Sequence, residues 1–406
     1  MLTRRGAGAL LLGWLTAVSP PLSAVAAVDG GAGRPGAAER IAPGVEYRAF
    51  SVPGPHGSTR VHVLTVDLRR GVRAGLLYPG AVAARRAVSR MVEEQGAVAG
   101  INGDFFDIDE RQHPGVEATG AASGPAVLAG RALKAAVPQG QRFGWAPPPG
   151  DTSRDVVGVG VDGVARTGQL TLRGRLRTRG GSLPLGGLDQ YALPVGSIGV
   201  FTPQWGPPSR ARAVCGTDLV RAAPCTGDSH ELTVRAGRVV SVADRPGSGA
   251  LPAGTLVLLG REGGAEALRR LGVGTAVEVD YRLTSDGPVP FTFALGAYPL
   301  LRGGRPLPGL DTAAALPRSA VGLADGGHVL RLLSTDGREG DSTGLTLSEL
   351  AEVLRSLDCE EASYLDGGAS ATLATRDPGS GRVTVRNHLD HDTEREVPNG
   401  IAVFAR

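Results

Sequence analysis

At 406 residues the chain has room for one large domain or two ordinary ones, and 41% hydrophobic with 20% charged residues excludes a disordered polymer. Sixty-two glycines and 29 prolines against 4% aromatics predict many turns and short strands. The formal charge of +3 includes Arg4 and Arg5 in a segment read below as removed, so the mature chain is near neutral and its bulk charge points to neither nucleic acid nor an anionic membrane.

The chain opens with "MLTRR", a basic stretch, then "GALLLGWLTAV", an apolar run too short for a stable membrane anchor, then the small residues Ala24 to Ala26. This predicts a signal peptide over residues 1–26 and a secreted, extracellular protein. Residues 27–45, rich in Gly and Ala, read as a linker. "EYRAFSV" and "TRVHVLTVDL" predict strands, and "AARRAVSRMVEEQ" predicts a helix whose apolar stripe is Val88, Met91 and Val92. Gly96 ends it, and a short apolar strand then leads to Asn102-Gly103.

The Pro-rich "APPPGDTSRD" marks a break, so the first part of the principal domain is placed at 46–145. From 146 to 290 the pattern is short β runs with turn signals, a β-rich inserted subdomain. Within it Cys215 and Cys225 flank a small loop and are expected to form a disulfide, whereas Cys359 lies beside acids and reads as a buried structural thiol. The second part of the domain, 291–406, contains "TLSELAEVLRSL", with Thr346 and Glu349 spaced for a capping box and Leu347, Leu350, Ala351, Leu354 and Leu357 as the buried stripe. The strand "ASYL" follows and delivers Asp366. The expected fold class is α/β (α+β): a mixed sheet with helices packed on it, plus the β-rich insertion.

Helix, short strand and polar-Gly turn thus occur twice, ending at Asn102-Gly103 and at Asp366-Gly367-Gly368. If both strands share one sheet, their ends form one rim, where sheets of this kind bind ligands. Taken alone, "LDGGAS" is either an Asp-Gly turn or a carboxylate at a strand end beside bare backbone N–H groups that meet an anion.

Five segments in order, "GINGDFF", "PRSAVGL", "STDGR", "SYLDGGASATL" and "REVPNGIAVF", resemble the phosphodiester glycosidase family over residues 46–135 and 290–406. Ala369 stands where the family has a third glycine, Ser319 where it has threonine, and Asp104 where glycine is common. Ala297 and Tyr298 occupy a stretch that is Gly-rich in the family. The resemblance implies a hydrolase that removes a sugar from a glycosyl-1-phosphodiester, of the N-acetylglucosamine-1-phosphodiester kind. Asp366 and Asp336 would share the acid, base or nucleophile roles that glycoside cleavage asks of two carboxylates. Arg318 would grip phosphate with its planar fork, helped by Arg395, Asn399, Asn102, Gly103 and the Gly367 and Gly368 backbone, with Ser370 and Thr372 bonding Asp366 or ligand.

Two polar clusters were weighed as metal sites. Asp104, Asp107, Asp109 and Glu110 lack EF-hand spacing for Ca²⁺ and read as a solvated acidic loop. His388, Asp390, His391 and Asp392 offer Zn²⁺ ligands from a loop without an evident third protein ligand. No cofactor is expected. The expected partner is a glycosyl-phosphate or cell-wall glycopolymer, with no nucleic acid and no stable membrane anchor. A non-catalytic glycan-binding module on the same fold and a metal-dependent phosphodiesterase are the alternatives from other classes.

Overall fold

The structure is a computed structural model that describes residues 37–55, 57–144, 147–338, 342–391 and 393–405. The signal-peptide segment and the start of the linker lie outside these. The later part of that linker is ordered structure: Glu39–Ala42 forms an edge strand paired with Val45–Gly54, with Ile41 buried. Ile41 and Ala42 pack on the core and Glu39 pairs with Arg386 at 2.6 Å, which holds this Gly- and Ala-flanked stretch on the sheet edge.

An eight-stranded sheet runs Glu39–Ala42, Val45–Gly54, Gly57–Asp67, Val329–Thr335, Ser319–Ala324, Glu361–Tyr364, Tyr298–Arg302 and Arg305–Pro306, in that spatial order. A five-stranded sheet runs Val383–Val385, Leu373–Arg376, Ala99–Asn102, Gly400–Ala405 and Val72–Leu77. Every pair in both is antiparallel. The expectation of a mixed sheet is therefore corrected: strands dominate, helices are few and short, and the parallel pairing found joins Gly187–Leu188 to Ile198–Phe201 elsewhere. The physical reason is in the connections. Where paired strands are neighbours in sequence, as Val45–Gly54 and Gly57–Asp67 are, a tight turn returns the chain antiparallel.

The period of two explains how the layers are glued. In the strand Gly57–Asp67, Val61 and Val63 face one apolar cluster, and Leu64 and Val66 face another. The same split recurs between Ala320 and Val321, and between Leu333 and Leu332. The first cluster also holds Leu347, Leu350, Ala351 and Leu354 of the helix Leu347–Ser356. The second holds Ile101, Leu373 and Ile401 of the five-stranded sheet. On that sheet's far side pack Val88, Met91 and Val92 of the helix Val88–Glu94. Both faces of each sheet are covered, which is why these strands read as near-continuous apolar runs. Cys359 is buried, and a Cβ at Gly322 would lie 2.3 Å from its Sγ, so the thiol fills the space that the glycine leaves.

The segment 146–290 supplies most of two further sheets. A seven-stranded sheet includes Ala165–Thr178 and Glu278–Ser285 together with Ala126–Leu128 and Phe291–Gly296, so it runs across residues 145 and 290. A five-stranded sheet over 187–243 and 255–261 carries the helix Gly263–Arg269, which the β-type pattern of this segment did not show. Cys215 and Cys225 are joined as expected.

The helix Leu347–Ser356 starts on the capping box read from the sequence: Thr346 Oγ1 accepts from the Glu349 N–H at 3.2 Å, and the Glu349 carboxylate accepts from the Thr346 N–H at 2.8 Å. Thr346→Ala removes one half of this exchange in a buried position. We expect a loss of about 1 kcal/mol, measured by urea unfolding, with the m-value unchanged.

Candidate active site

Asp366 follows the central strand Glu361–Tyr364, and Asn102 ends the strand Ala99–Asn102 of the other sheet. The two do not share a sheet, as the sequence reading had it; they meet at the junction of two. The Asp366 N–H donates to Gly103 O at 2.8 Å, and Asn102 Nδ2 donates to Asp366 O at 2.7 Å. Both backbone polar groups of Asp366 are thereby clamped, and its side chain alone is left to face a cavity of about 540 Å³.

Asn102 itself is fully buried, and its Oδ1 accepts from Ser319 Oγ at 2.6 Å and from the Thr372 N–H at 3.1 Å. It braces the site and does not line the cavity. Gly103 is glycine because a Cβ there would sit 2.3 Å from Asn399 Oδ1, which in turn accepts from the Asp104 N–H at 3.0 Å. Asn399 is likewise a brace. Thr372 is buried with its hydroxyl unpaired.

The glycines after Asp366 act differently from the expectation. The Gly367 N–H donates to Asp366 Oδ1 at 3.0 Å and the Gly368 N–H to Pro317 O at 2.8 Å, so neither is offered to an anion. A Cβ at Gly367 would lie 2.6 Å from Pro317 O, and Gly368 takes φ +58° with open space around it. Glycine is required here by close approach and by a left-handed turn, respectively.

Burial raises the Asp366 carboxyl to about 6, against the Ser370 hydrogen bond, the Arg395 charge and the Gly367 N–H, which pull it down. Arg395 lines the same cavity, and its Nη1 donates to Ser370 Oγ at 3.4 Å. Arg318 also lines it, but its Nε and Nη2 donate to Leu345 O at 2.8 Å and Ala314 O at 2.7 Å. Two of its donors are thus spent on carbonyls of two separate segments, one in the loop 311–316 and one at Leu345, so part of the phosphate fork read from the sequence is committed to structure.

Asp336 lies off the cavity lining. Its Oδ1 accepts from His62 Nε2 at 2.8 Å and from the His388 N–H at 2.6 Å. Burial alone would raise this carboxyl, but those bonds hold it below the ordinary carboxylate range. His62 is fixed in turn by the Tyr47 hydroxyl, 2.7 Å from Nδ1. Asp336 therefore anchors the loop 386–391, which brings Asp390 and His391 to the cavity.

The sequence reading missed several cavity residues. Tyr364 stands two positions before Asp366 and so was legible from strand alternation; its hydroxyl accepts from Arg142 at 3.4 Å, and Arg142 lies 3.7 Å from the Tyr298 ring. Phe105 and Leu316 complete an apolar wall, and Arg338 and Asp390 face each other at 3.5 Å. Two clefts of about 610 and 620 Å³ in the 135–276 region are larger, but neither contains any of the five sequence motifs.

The acidic cluster is not a solvated loop. Asp104, Asp107 and Glu110 are buried, and only Asp109 keeps an exposed partner, Arg111. Glu110 binds His113 and Arg212. Asp104 takes the Gly124 N–H and lies in the field of Lys134, the single lysine, whose burial pulls it down to about 7. Apart from His113, three residues from Glu110, these hydrogen-bond partners lie 20 to 102 residues away in sequence, beyond the reach of local pattern. Asp107 and Glu110 share a hydrogen bond with each other, while Asp104 is held separately by Gly124 and the Lys134 charge. Among the described residues the only His, Cys, Asp and Glu side chains that gather closely enough to hold an ion are His113, Cys215 and Cys225, and the two sulfurs are bonded to each other. Asp392 lies outside the described residues.

Residues 228–404 match the sequence model of the phosphodiester glycosidase family. No curated protein matches the chain. A hypothetical protein from Synechocystis superposes with TM-score 0.67 at 21% identity, covering 89% of this chain and 62% of that one; the chain thus spans less than two thirds of its length. A protein described as exported from Burkholderia pseudomallei superposes with TM-score 0.64 at 22% identity, over 86% of this chain and 74% of that one. The catalytic domain of zebrafish N-acetylglucosamine-1-phosphodiester alpha-N-acetylglucosaminidase gives TM-score 0.44 at 15% identity, over 91% and 86%, too low to carry an argument. The first two show a shared fold.

The raised Asp366 carboxyl makes a signed stability prediction. Its folded value, about 6, lies above the ordinary 3.8, so between these the folded state holds more protons than the unfolded one, and stability falls as pH rises through that window. Asp366→Asn removes this loss. The variant should gain about 1–3 kcal/mol over the parent at pH 7.5 and little at pH 4, read by denaturant unfolding at both pH values. An equal loss at both would mean that the carboxylate is held by bonds that offset its burial.

Proposed function

From the match of residues 228–404 to the phosphodiester glycosidase family we propose a secreted hydrolase that cleaves the sugar–phosphate glycosidic bond of a glycosyl-1-phosphodiester. The observation that carries the reading is the Asp366 side chain: a carboxyl raised to about 6, facing a cavity with Arg395 beside it, on the family's "LDGG" turn. A carboxyl near that value changes protonation close to neutral pH, as suits a group that moves protons, and is ionised at neutral pH, as one that attacks carbon must be.

In this reading Arg395 faces the phosphate. It is only half-buried, and among its polar contacts it spends one N–H on the Ser370 hydroxyl. Phosphate is a good leaving group, so neutralising its charge matters more than protonating it. Ionised Asp366 acts at the anomeric carbon, either directly or through water. Asp390, inside the cavity, is better placed than Asp336 to be the second carboxylate. The Phe105 and Tyr364 rings offer the sugar an apolar face. Export is supported by the N-terminal segment and the Cys215–Cys225 bond.

The test is product analysis on methyl N-acetylglucosamine-1-phosphate, a small glycosyl-1-phosphodiester, in oxygen-labelled water. Free sugar carrying the label and methyl phosphate are expected. Sugar phosphate with labelled phosphate would mean phosphodiester cleavage, and no product would mean a binding module; either overturns the proposal. Asp366→Asn should cut kcat by at least about 10²-fold, and the parent's kcat should fall as pH drops below about 6, where the carboxyl takes up its proton. Arg395→Ala should raise KM on the phosphodiester and leave an aryl glycoside nearly unaffected, whereas the Asp366 defect should appear on both.

A further inference from the structure

Far along the chain from the cavity residues, the strand Ala165–Thr178 and the hairpin residue after it place four arginines at alternate positions, Arg173, Arg175, Arg177 and Arg179. The even-numbered neighbours Leu172 and Leu176 pack inward, with Leu183, Val279, Tyr281 and Leu283 of the flanking strands, so the arginines share the outward face. The register confirms it: Arg282 lies directly opposite Arg173, Asp280 opposite Arg175, and Glu278 opposite Arg177. All five arginines are exposed. Arg177 is neutralised by Glu278 at 2.8 Å and Asp280 at 3.8 Å. Among the described residues no carboxylate lies within ion-pair distance of Arg173, Arg175, Arg179 or Arg282.

Two features set this face apart from an ordinary solvated strand. Like charges directly opposite one another, as Arg173 and Arg282 are, destabilise an antiparallel pair unless something anionic lies between them. The chain as a whole is also nearly neutral, so this much unpaired positive charge on one small sheet is a local excess. Alternate residues of a strand are spaced by about 6.8 Å, so the row offers charge at regular intervals to an extended polyanion.

We propose that the outward face of Ala165–Thr178 and Glu278–Ser285 docks a linear phosphodiester-linked glycan polymer, the anionic substrate whose sugar–phosphate bonds the Asp366 cavity opens; this rests on the function proposed above. The face favours such a glycan over a nucleic acid. Besides the arginines, its outward positions across the three paired strands are Thr171, Ser182, Pro184, Glu278, Asp280 and Thr284, with no aromatic ring on which a base could stack. Guanidinium groups pair with phosphate oxygens whatever lies between the phosphates, so a polymer of variable sugar is held by its backbone. Docking raises the local concentration of scissile bonds without touching the chemistry.

The experiment uses the full chain and the variant R173E/R175E/R282E, all exposed positions outside the cavity. Binding of fluorescent inorganic polyphosphate and of poly(N-acetylglucosamine 1-phosphate), a polymer of glycosyl-1-phosphodiester units, is measured at low and high salt, and turnover on methyl N-acetylglucosamine-1-phosphate in parallel. The parent should bind both polymers, losing affinity steeply with salt. The variant should bind them at least about 10-fold more weakly and show a matching rise in KM for the glycan polymer, with small-substrate kinetics unchanged. Equal polymer binding by parent and variant overturns the proposal, as does tighter binding of single-stranded DNA than of the glycan at equal charge. Failure to turn over the small substrate instead counts against the proposed hydrolase, and the binding comparison still decides whether this face docks a phosphodiester polymer.

Discussion

The buried side-chain amide of Asn102 is the constraint on which the site depends. It sits where the end of one sheet meets the end of another, and it satisfies groups from three segments at once: Ser319, Thr372 and Asp366. An amide offers a donor and an acceptor on one planar group, so it bridges a C=O and an N–H where no aliphatic side chain would leave both paired. In an interior this dry each unpaired group costs about 1–3 kcal/mol. The junction is therefore held in one arrangement, and Asp366 has no freedom to turn away from the cavity.

Around that junction, charge is buried in pairs, and the pairs divide by purpose. Lys134 with Asp104, and Arg212 with Glu110 and His113, lie behind the cavity and stiffen the backbone from 104 to 124. His62 with Asp336 holds the loop that brings Asp390 forward. Asp366 differs from all of these. Among the described residues no arginine or lysine is bonded to its carboxylate, which meets an N–H, a hydroxyl and the more distant charge of Arg395. Asp336 is lowered because direct bonds outweigh its burial, and Asp366 is raised because burial outweighs its weaker partners. Two aspartates at strand ends, each followed by glycine, are thus set to opposite tasks by what surrounds them.

The parts of the fold that were legible in the sequence are those governed by local rules. The Thr346 capping box, the Val88, Met91 and Val92 stripe and the strand leading to Asp366 all depend on residues within a few positions of one another. The Cys215–Cys225 bond also follows from proximity. The helix Gly263–Arg269 was not legible: it is seven residues long, opens on two glycines, and stands because Ala265 and Leu268 pack on a sheet. For Arg318 the position beside the cavity was readable, but not its bonds: the carbonyls of Ala314 and Leu345 that occupy two of its donors come from separate segments whose paths are a tertiary fact.

The five motifs in order by themselves pointed to the phosphodiester glycosidase family, whose sequence model matches residues 228–404, and the short apolar run by itself placed Asp366 at the end of a strand beside two glycines. Which face the Gly367 and Gly368 N–H groups turned to, which of two aspartates entered the cavity, and whether the acids from 104 to 110 met water or cations were decided only by the tertiary structure. Hydrogen bonding and desolvation act through distances of a few ångströms in space, and those distances join residues as far apart as Asn102 and Asp366. No spacing along the chain encodes them until the sheets have packed.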